Sequence, residues 1–298
     1  MTRSHSHVVI LGLGLIGGSL ARSLRATGFS QRIMGWGHRE PSLRRGVELG
    51  IIDDFSLDLE TAISGADIIV VATPTLVAAD MLCQLLPLLP ESGGPVVTDV
   101  ASVKGSLRRA VIDMVGSMPD QLVLGHPIAG SERSGVDASD VSLFERHRVI
   151  LTPESDTDPE ATALVRAMWE STGAEVVDMD VDTHDAVLAG TSHLPHVLAY
   201  ALVDALAQSD LSENIFRFAA GGFRDFTRIA SSDPVMWKDI AVANREALLA
   251  ALDTFEAHLA TLRGSIEAAD ADALQATFAR AKQSRDDFAR MLAERDAS

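Results

Sequence analysis

Val8-Val9-Ile10-Leu11-Gly12-Leu13-Gly14-Leu15-Ile16-Gly17-Gly18 decides how the rest of the chain is read. Four consecutive β-branched or leucine residues read as a buried strand. The glycine run then opens onto a helical stretch, residues 19–27, closed by Gly28. A G-x-G-x-x-G between a strand and a helix is the fingerprint of a dinucleotide-binding turn. Gly12 permits the tight turn, Gly14 lets a pyrophosphate approach the backbone, and Gly17 lets helix and strand pack closely. The new helix offers free N–H groups and the positive end of its dipole to the anion. Leu15, Ile16 and Thr73 complete the expected cofactor-binding set with these glycines. A tight βα turn without a ligand is the plainer alternative.

Outward from this loop, short apolar strands alternate with amphipathic stretches. Strands are expected at 33–36, 67–72, 96–99 and 122–125, with helices over 41–49 and 76–89 and another from Val103. A helix over 159–171 and a strand over 174–178 add one more pair. Near-continuous apolar strands alternating with helices mean a parallel sheet covered on both faces. Past residue 180 the β-branched runs give way to leucines at helical spacing, among them Leu198, Leu202, Leu206, Leu248, Leu252 and Leu259. The expected fold is therefore α/β: a doubly wound Rossmann-type domain over 1–180, then an all-helical domain over 181–298. A charged final helix covers 270–297.

Composition agrees. The length, 298 residues, suits two domains at ~150 residues each. A net charge of −17, from 25 basic and 42 acidic residues, argues against partners held by phosphate neutralisation, so no nucleic acid is expected. Cys83 is the single cysteine, which leaves no intrachain disulfide and no cysteine-based zinc site. No signal pattern opens the chain and no stretch approaches ~20 uninterrupted apolar residues, so a cytoplasmic protein without a membrane span is expected.

The end of the second strand bears on the cofactor. An acid there would bind the ribose 2′-hydroxyl and repel a 2′-phosphate. Gly37 stands in that place, and His38 and Arg39 follow, which favours NADP over NAD; Glu40 as a displaced acid keeps NAD open.

Ligands in such sheets sit beyond the carboxyl ends of the strands. One of these ends carries Ser102, a hydroxyl at a loop-to-helix junction, where a plain N-cap is the competing role. Another runs into His126-Pro127-Ile128-Ala129-Gly130-Ser131-Glu132-Arg133-Ser134-Gly135. A histidine held there lies near a nicotinamide, and neutral imidazole removes an alcohol proton near pH 7. In the helical half, His193 and His196 accompany Arg224 and Arg228, which lie four apart and hence on one helix face. Phe223, Phe226 and Ile229 around them imply a partly buried segment, in which the arginines pair with Asp225 or clamp a carboxylate ligand. The two histidines lack a third ligand, so no metal is expected.

Taken together, five ordered motifs resemble the prephenate/arogenate dehydrogenase family of tyrosine biosynthesis. They are Gly12 to Ser19, Asp99 to Lys104, His126 to Gly135, Ser192 to His196, and Gly221 to Ala230 with Met236 to Ile240. The resemblance implies oxidative decarboxylation of prephenate, with arogenate as an alternative substrate and NAD(P) as hydride acceptor. It implies that His126 accepts the hydroxyl proton, that Ser102 hydrogen-bonds the same hydroxyl, that His196 positions the ring and that Arg228 binds a carboxylate. Glu132 and Asp225 correspond to gating ionic contacts, and His193, Arg224 and Trp237 line or support the pocket. No mutase segment before the dehydrogenase and no regulatory domain after it are expected, so tyrosine inhibition, if present, would act at the active site. The helical half is expected to form a homodimer that covers its apolar helices. A two-domain β-hydroxyacid or imine dehydrogenase, and a non-catalytic dinucleotide sensor, are the competing readings.

Overall fold

The computed structural model describes residues 5–90, 93–130 and 133–297. The first elements are β1 (His5–Leu11), α1 (Leu15–Thr27), β2 (Ser30–Trp36), α2 (Glu40–Glu48), β3 (Asp54–Ser56), α3 (Leu59–Ile63), β4 (Ile68–Val71) and α4 (Thr75–Leu85). Then come β5 (Val96–Asp99), α5 (Gly105–Val115), β6 (Leu122–Pro127), β7 (Arg148–Thr152), α6 (Pro159–Ser171) and β8 (Glu175–Asp178). These eight strands form one sheet in the order β3-β2-β1-β4-β5-β6-β7-β8. Strand order reverses between β1 and β4, so a crevice opens beyond their carboxyl ends.

The apolar runs explain the centre of the sheet. Val8 and Ile10 enter the core on one face, while Val9 and Leu11 enter the core on the other. Ile68 and Val70, then Ile69 and Val71, divide in the same way. Successive side chains of a strand alternate faces, so a strand buried on both sides must be apolar throughout. All eight are fully buried, and each stabilises the fold by about 1.5–3 kcal/mol.

Two strands were not expected. β3 is a three-residue edge strand. β7, Arg148-Val-Ile-Leu-Thr152, runs antiparallel to β6 and pairs Ile150 with His126. No α-helix stands between β6 and β7 among the described residues, and without a crossover the returning strand is antiparallel. The remaining neighbours pair in parallel.

The chain then turns helical: α7 (Val181–Leu188), a π-helical turn (Ala189–His193), α8 (Leu194–Ala207), α9 (Ser212–Arg217) and α10 (Gly221–Thr227). A 3₁₀ turn (Arg228–Ser231), α11 (Pro234–Ala243), α12 (Arg245–Glu267) and α13 (Ala271–Ala297) complete it. The continuous helical run Val181–Ala207 is long and apolar enough to cross a membrane by length and composition, beyond what the uninterrupted-run criterion anticipated. It nevertheless carries buried His184, Asp185 and His193 in a hydrogen-bonded network with β6 and α5, the environment of a packed helix in a globular unit.

By compactness the chain divides into Met1–Leu248 and Leu249–Ser298. The second unit contains α13, whose exposed charges pair one turn apart, as Lys282 does with Asp286.

Candidate active site

The glycine loop has the geometry its sequence requires. Gly12 adopts φ 106°, and a Cβ there would lie 2.6 Å from the carbonyl oxygen of Ala72. A Cβ on Gly17 would lie 2.3 Å from the carbonyl oxygen of Gly12, so only glycine lets α1 start this close to β1. Gly14 differs: nothing stands within 4 Å of its missing side chain, which leaves its backbone open to a ligand. Gly14 is the N-cap of α1, and neither a capping side chain nor a first-turn acid occupies that helix end, where Leu15 and Ile16 begin. Thr73, after β4 on the other side of the crevice, carries a buried hydroxyl without a hydrogen-bond partner. Open backbone, unspent N–H donors and an unpaired hydroxyl fit a dinucleotide phosphate.

At the end of β2, Gly37 supplies no acid, and His38 and Arg39 are exposed. His38 stands edge-on to Trp36, with ring centroids 4.9 Å apart. Glu40, the displaced acid, is tied to Arg44 one turn along α2.

His126 lies at the end of β6, nearly buried, with its ring in a directed chain of hydrogen bonds. The chain starts at Asp185 in α7. Its Oδ1 accepts from the backbone N–H of Lys104 at 2.9 Å and its Oδ2 from that of Gly105 at 2.8 Å. Asp185 therefore caps α5 from another helix, which removes the N-cap role from Ser102: α5 begins at Gly105, three residues later. Burial pushes the Asp185 carboxyl up, but hydrogen bonds from His184, Lys104 and Gly105 outweigh it and hold the group below the usual carboxylate range. An ionised carboxylate only accepts, so His184 Nδ1, 2.8 Å from Asp185 Oδ1, carries the hydrogen. His184 Nε2 is then the acceptor, and it lies 2.9 Å from His126 Nδ1, which must donate. The lone pair of His126 is left on Nε2. Burial, followed by the nearby His184, Lys104 and His193, holds the His126 pKa well below 6.5, so the ring is neutral and ready to accept a proton.

The loop that carries Ser102 is pinned at both ends. Asp99 Oδ2 accepts from the Ala101 N–H at 2.8 Å, and Asp185 holds the Lys104 N–H. Lys104 is wholly buried, with its ammonium 2.5 Å from Asp99 Oδ2 and 2.7 Å from the Gly125 carbonyl, while Asp99 Oδ1 accepts from the Gly125 N–H at 3.1 Å. Burial lowers the Lys104 pKa against the pull of Asp99. This pair ties the ends of β5 and β6 together beside His126, and half-buried Ser102 is held on the same rim.

On the helical side, His193 is 2% exposed, and its Nδ1 lies 3.0 Å from the amide nitrogen of Asn244. Burial, with smaller contributions from neighbouring His184 and His196 against Asp185, lowers the His193 pKa to about 4. His196 stacks on Trp237 with ring centroids 3.5 Å apart and an interplanar angle of 17°, and its Nδ1 meets the Ser192 carbonyl at 2.9 Å. Burial lowers the His196 pKa, and the charge of Arg228 adds to the effect. Electrostatic adjacency thus runs from His126 through His193 and His196 to Arg228.

The structure departs from expectation at the arginines. α10 ends at Thr227, and Arg228 is its C-cap and opens a 3₁₀ turn, so only Arg224 lies within the helix. Phe223, Thr227, Ile229 and Ala230 are half-buried, as a partly buried segment requires, but its charged side chains are not covered. Arg224 and Asp225 side chains are 80% and 72% exposed and pair with each other at 3.1 Å, and Phe226 is 53% exposed. The apolar residues of a seven-residue helix cover too little surface to bury its charged ones. Glu132 lies outside the described residues.

Asp99 and Lys104 delimit one of the sequence motifs but carry no assigned role there, and His184, Asp185 and Asn244 are not singled out by the sequence. A signal is present for Asp99, an acid closing a wholly buried strand, and for His184-Asp185, polar neighbours that open a long, mostly apolar helical run.

Comparison with known proteins bears on this arrangement. A family model described as "Prephenate dehydrogenase, nucleotide-binding domain" matches residues 20–178, and one described as "Prephenate dehydrogenase, dimerization domain" matches residues 180–280. A cyclohexadienyl dehydrogenase of Zymomonas mobilis is 36% identical over 94% of this chain and 94% of its own length. The crystal structure of an Aquifex aeolicus prephenate dehydrogenase with hydroxyphenyl propionate and NAD+ superposes with TM-score 0.88 at 37% identity, covering 97% of this chain and 100% of that one. A Synechocystis arogenate dehydrogenase gives TM-score 0.80 at 30% identity, covering 95% and 99%. With both models matching in order and a relative 36% identical over nearly its whole length, the chain belongs to the prephenate dehydrogenase family and is an NAD(P)-dependent dehydrogenase.

Proposed function

We propose that the chain converts prephenate to 4-hydroxyphenylpyruvate, with arogenate conversion to tyrosine as the parallel reaction of the same site. The observation that carries this reading is the bare Nε2 of His126, set by the His184–Asp185 chain at the mouth of the sheet. The bound nicotinamide supplies the hydride acceptor. His126 Nε2 takes the proton of the ring hydroxyl as the hydride leaves the carbon that bears it. The positive charge this creates is shared through His184 toward the Asp185 carboxylate. Carbon dioxide departs from the opposite ring carbon and leaves its electron pair to complete the aromatic ring. The proton then returns from His126 to the phenolic oxygen, so the balance is one hydride and one carbon dioxide lost. Ser102 orients the hydroxyl, His196 on its Trp237 platform positions the ring, and Arg228 holds a carboxylate. Arg224 and Trp237 support the pocket, and Asp225 takes part in its ionic gating.

The domain roles in this reading are cofactor binding by residues 1–180 and substrate binding with homodimer formation by residues 181–298. Leu202, Phe218 and Val242 are exposed within one chain, as a paired surface requires. A cytoplasmic setting accords with a lone cysteine.

Initial rates with prephenate or arogenate crossed with NAD or NADP test the reaction. Formation of 4-hydroxyphenylpyruvate with reduced cofactor is expected. Turnover of neither cyclohexadienyl acid rejects the reading. NADP is favoured within it, because Glu40 is engaged by Arg44 while His38 and Arg39 stand exposed after β2. Arg39→Ala should raise the KM for NADP roughly tenfold, the loss of one charge-assisted contact, and leave that for NAD within about twofold. Equal effects on both cofactors remove Arg39 from 2′-phosphate recognition.

Arg228→Ala should raise the KM for prephenate by roughly 10–100-fold with kcat little changed, because a carboxylate contact is present in both ground and transition states. A fall in kcat at unchanged KM places Arg228 elsewhere in the cycle.

A further inference from the structure

We propose that Asn244 is a positioning residue that locks His193 as a hydrogen-bond donor through Nε2, the tautomer opposite to that of His126, so that it donates to an acceptor oxygen of the substrate. The amide nitrogen of Asn244 lies 2.8 Å from the backbone carbonyl of Asp185 and 3.0 Å from His193 Nδ1. A carbonyl only accepts, so the nitrogen of the Asn244 side chain, not its oxygen, must face Asp185. That nitrogen carries two hydrogens, one for each neighbour. His193 Nδ1 is consequently an acceptor, and the single ring hydrogen of neutral His193 sits on Nε2.

The arrangement is buried and resists change. Asn244 is 3% exposed and terminates α11, where its backbone N–H bonds the Ile240 carbonyl. Protonating His193 Nδ1 would set an N–H against an N–H in a buried site, consistent with a ring that stays neutral until about pH 4. The neighbouring titratable groups are Asp185, His184 and His196.

One residue thereby sets two rings in opposite senses. The carboxylate of Asp185 acts through His184 to leave His126 with a bare Nε2, and its carbonyl acts through Asn244 to leave His193 with a protonated one. A proton acceptor and a neutral proton donor are what an alcohol and an acceptor oxygen on one substrate require. Both orientations are fixed before any ligand arrives. The donor role rests on the cyclohexadienyl dehydrogenase reading; the tautomer does not.

The experiment is a long-range ¹H–¹⁵N correlation on ¹⁵N-histidine-labelled full-length protein without ligands, with His193 assigned by the signal lost in His193→Gln. In the unsubstituted protein, a protonated Nε2 and a bare Nδ1 are expected. In Asn244→Ala both tautomers should appear, and the KM for prephenate should rise roughly tenfold with kcat within about threefold, the loss of one oriented hydrogen bond. Asn244→Asp, of the same shape, should place the hydrogen on Nδ1 and raise KM further.

A protonated Nδ1 in the unsubstituted protein overturns the proposal, even where the variants fail to fold. A single Nε2–H tautomer with unchanged KM in Asn244→Ala also overturns it. Protein that displays the expected tautomer yet turns over no cyclohexadienyl acid upholds the lock and rejects the substrate reading instead.

Discussion

His126→Asn should lower kcat by roughly 10²–10⁴-fold, the range for removing a general base, and leave the Kd for NAD(P) essentially unchanged. Asparagine fills much of the imidazole's volume and can still hydrogen-bond His184, so β6 keeps its place while the basic lone pair is lost. The proposed cofactor contacts, at Gly14 after β1 and Thr73 after β4, lie off β6 and would be untouched. Steady-state kinetics beside a cofactor titration checks both halves; near-full turnover would remove His126 from proton transfer. The same assignment fixes a pH dependence. The base works unprotonated, and burial holds its pKa well below 6.5, so kcat/KM falls only on the acid side of that value. An acid limb at or above pH 6.5 would contradict a buried base.

Asp185→Asn is expected to cost nearly as much, roughly 10²–10³-fold in kcat, through a mechanism without substrate contact. A carboxamide has one acceptor oxygen where the carboxylate has two. The backbone N–H groups of Lys104 and Gly105 and the ring of His184 already occupy both oxygens, so one donor loses its partner. If the amide nitrogen faces His184 Nδ1, that ring takes its hydrogen on Nε2, and His126 Nδ1 meets a donor. His126 then carries its hydrogen on Nε2 and cannot accept one. The helix cap on α5 weakens as well, with a destabilisation of about 1–3 kcal/mol in denaturant unfolding. Turnover close to the unsubstituted rate in a folded Asp185→Asn protein would show that the relay does not orient the base.

Much of this protein was legible before folding. Val8–Leu11 and Ile68–Val71 announced buried strands because a parallel strand covered on both faces has no position for a polar side chain. The glycine loop was equally plain, since backbone conformation and closeness of approach leave Gly12 and Gly17 no substitutes. β7 escaped notice because five residues after a helix-free connection carry little periodic signal, and its antiparallel pairing depends on where β6 lies. Around Arg224 the expectation of partial burial holds for Phe223 and Ile229, whereas Arg224, Asp225 and Phe226 stay exposed, because how far a helix face is covered depends on what packs over it.

The amino-acid order alone determined the alternation of strand and helix, the tight glycine turn between β1 and α1, and the presence of His126 after a buried strand. These are local consequences of side-chain type, spacing and backbone freedom. Only tertiary structure decided that Asp185 reaches back some eighty residues to cap α5, that its carboxylate and carbonyl orient His126 and His193 in opposite senses, and that buried Lys104 ties β5 to β6. Hydrogen-bond direction is a property of pairs. A ring's tautomer is undefined until its neighbours are in place, and those neighbours come from distant parts of the chain.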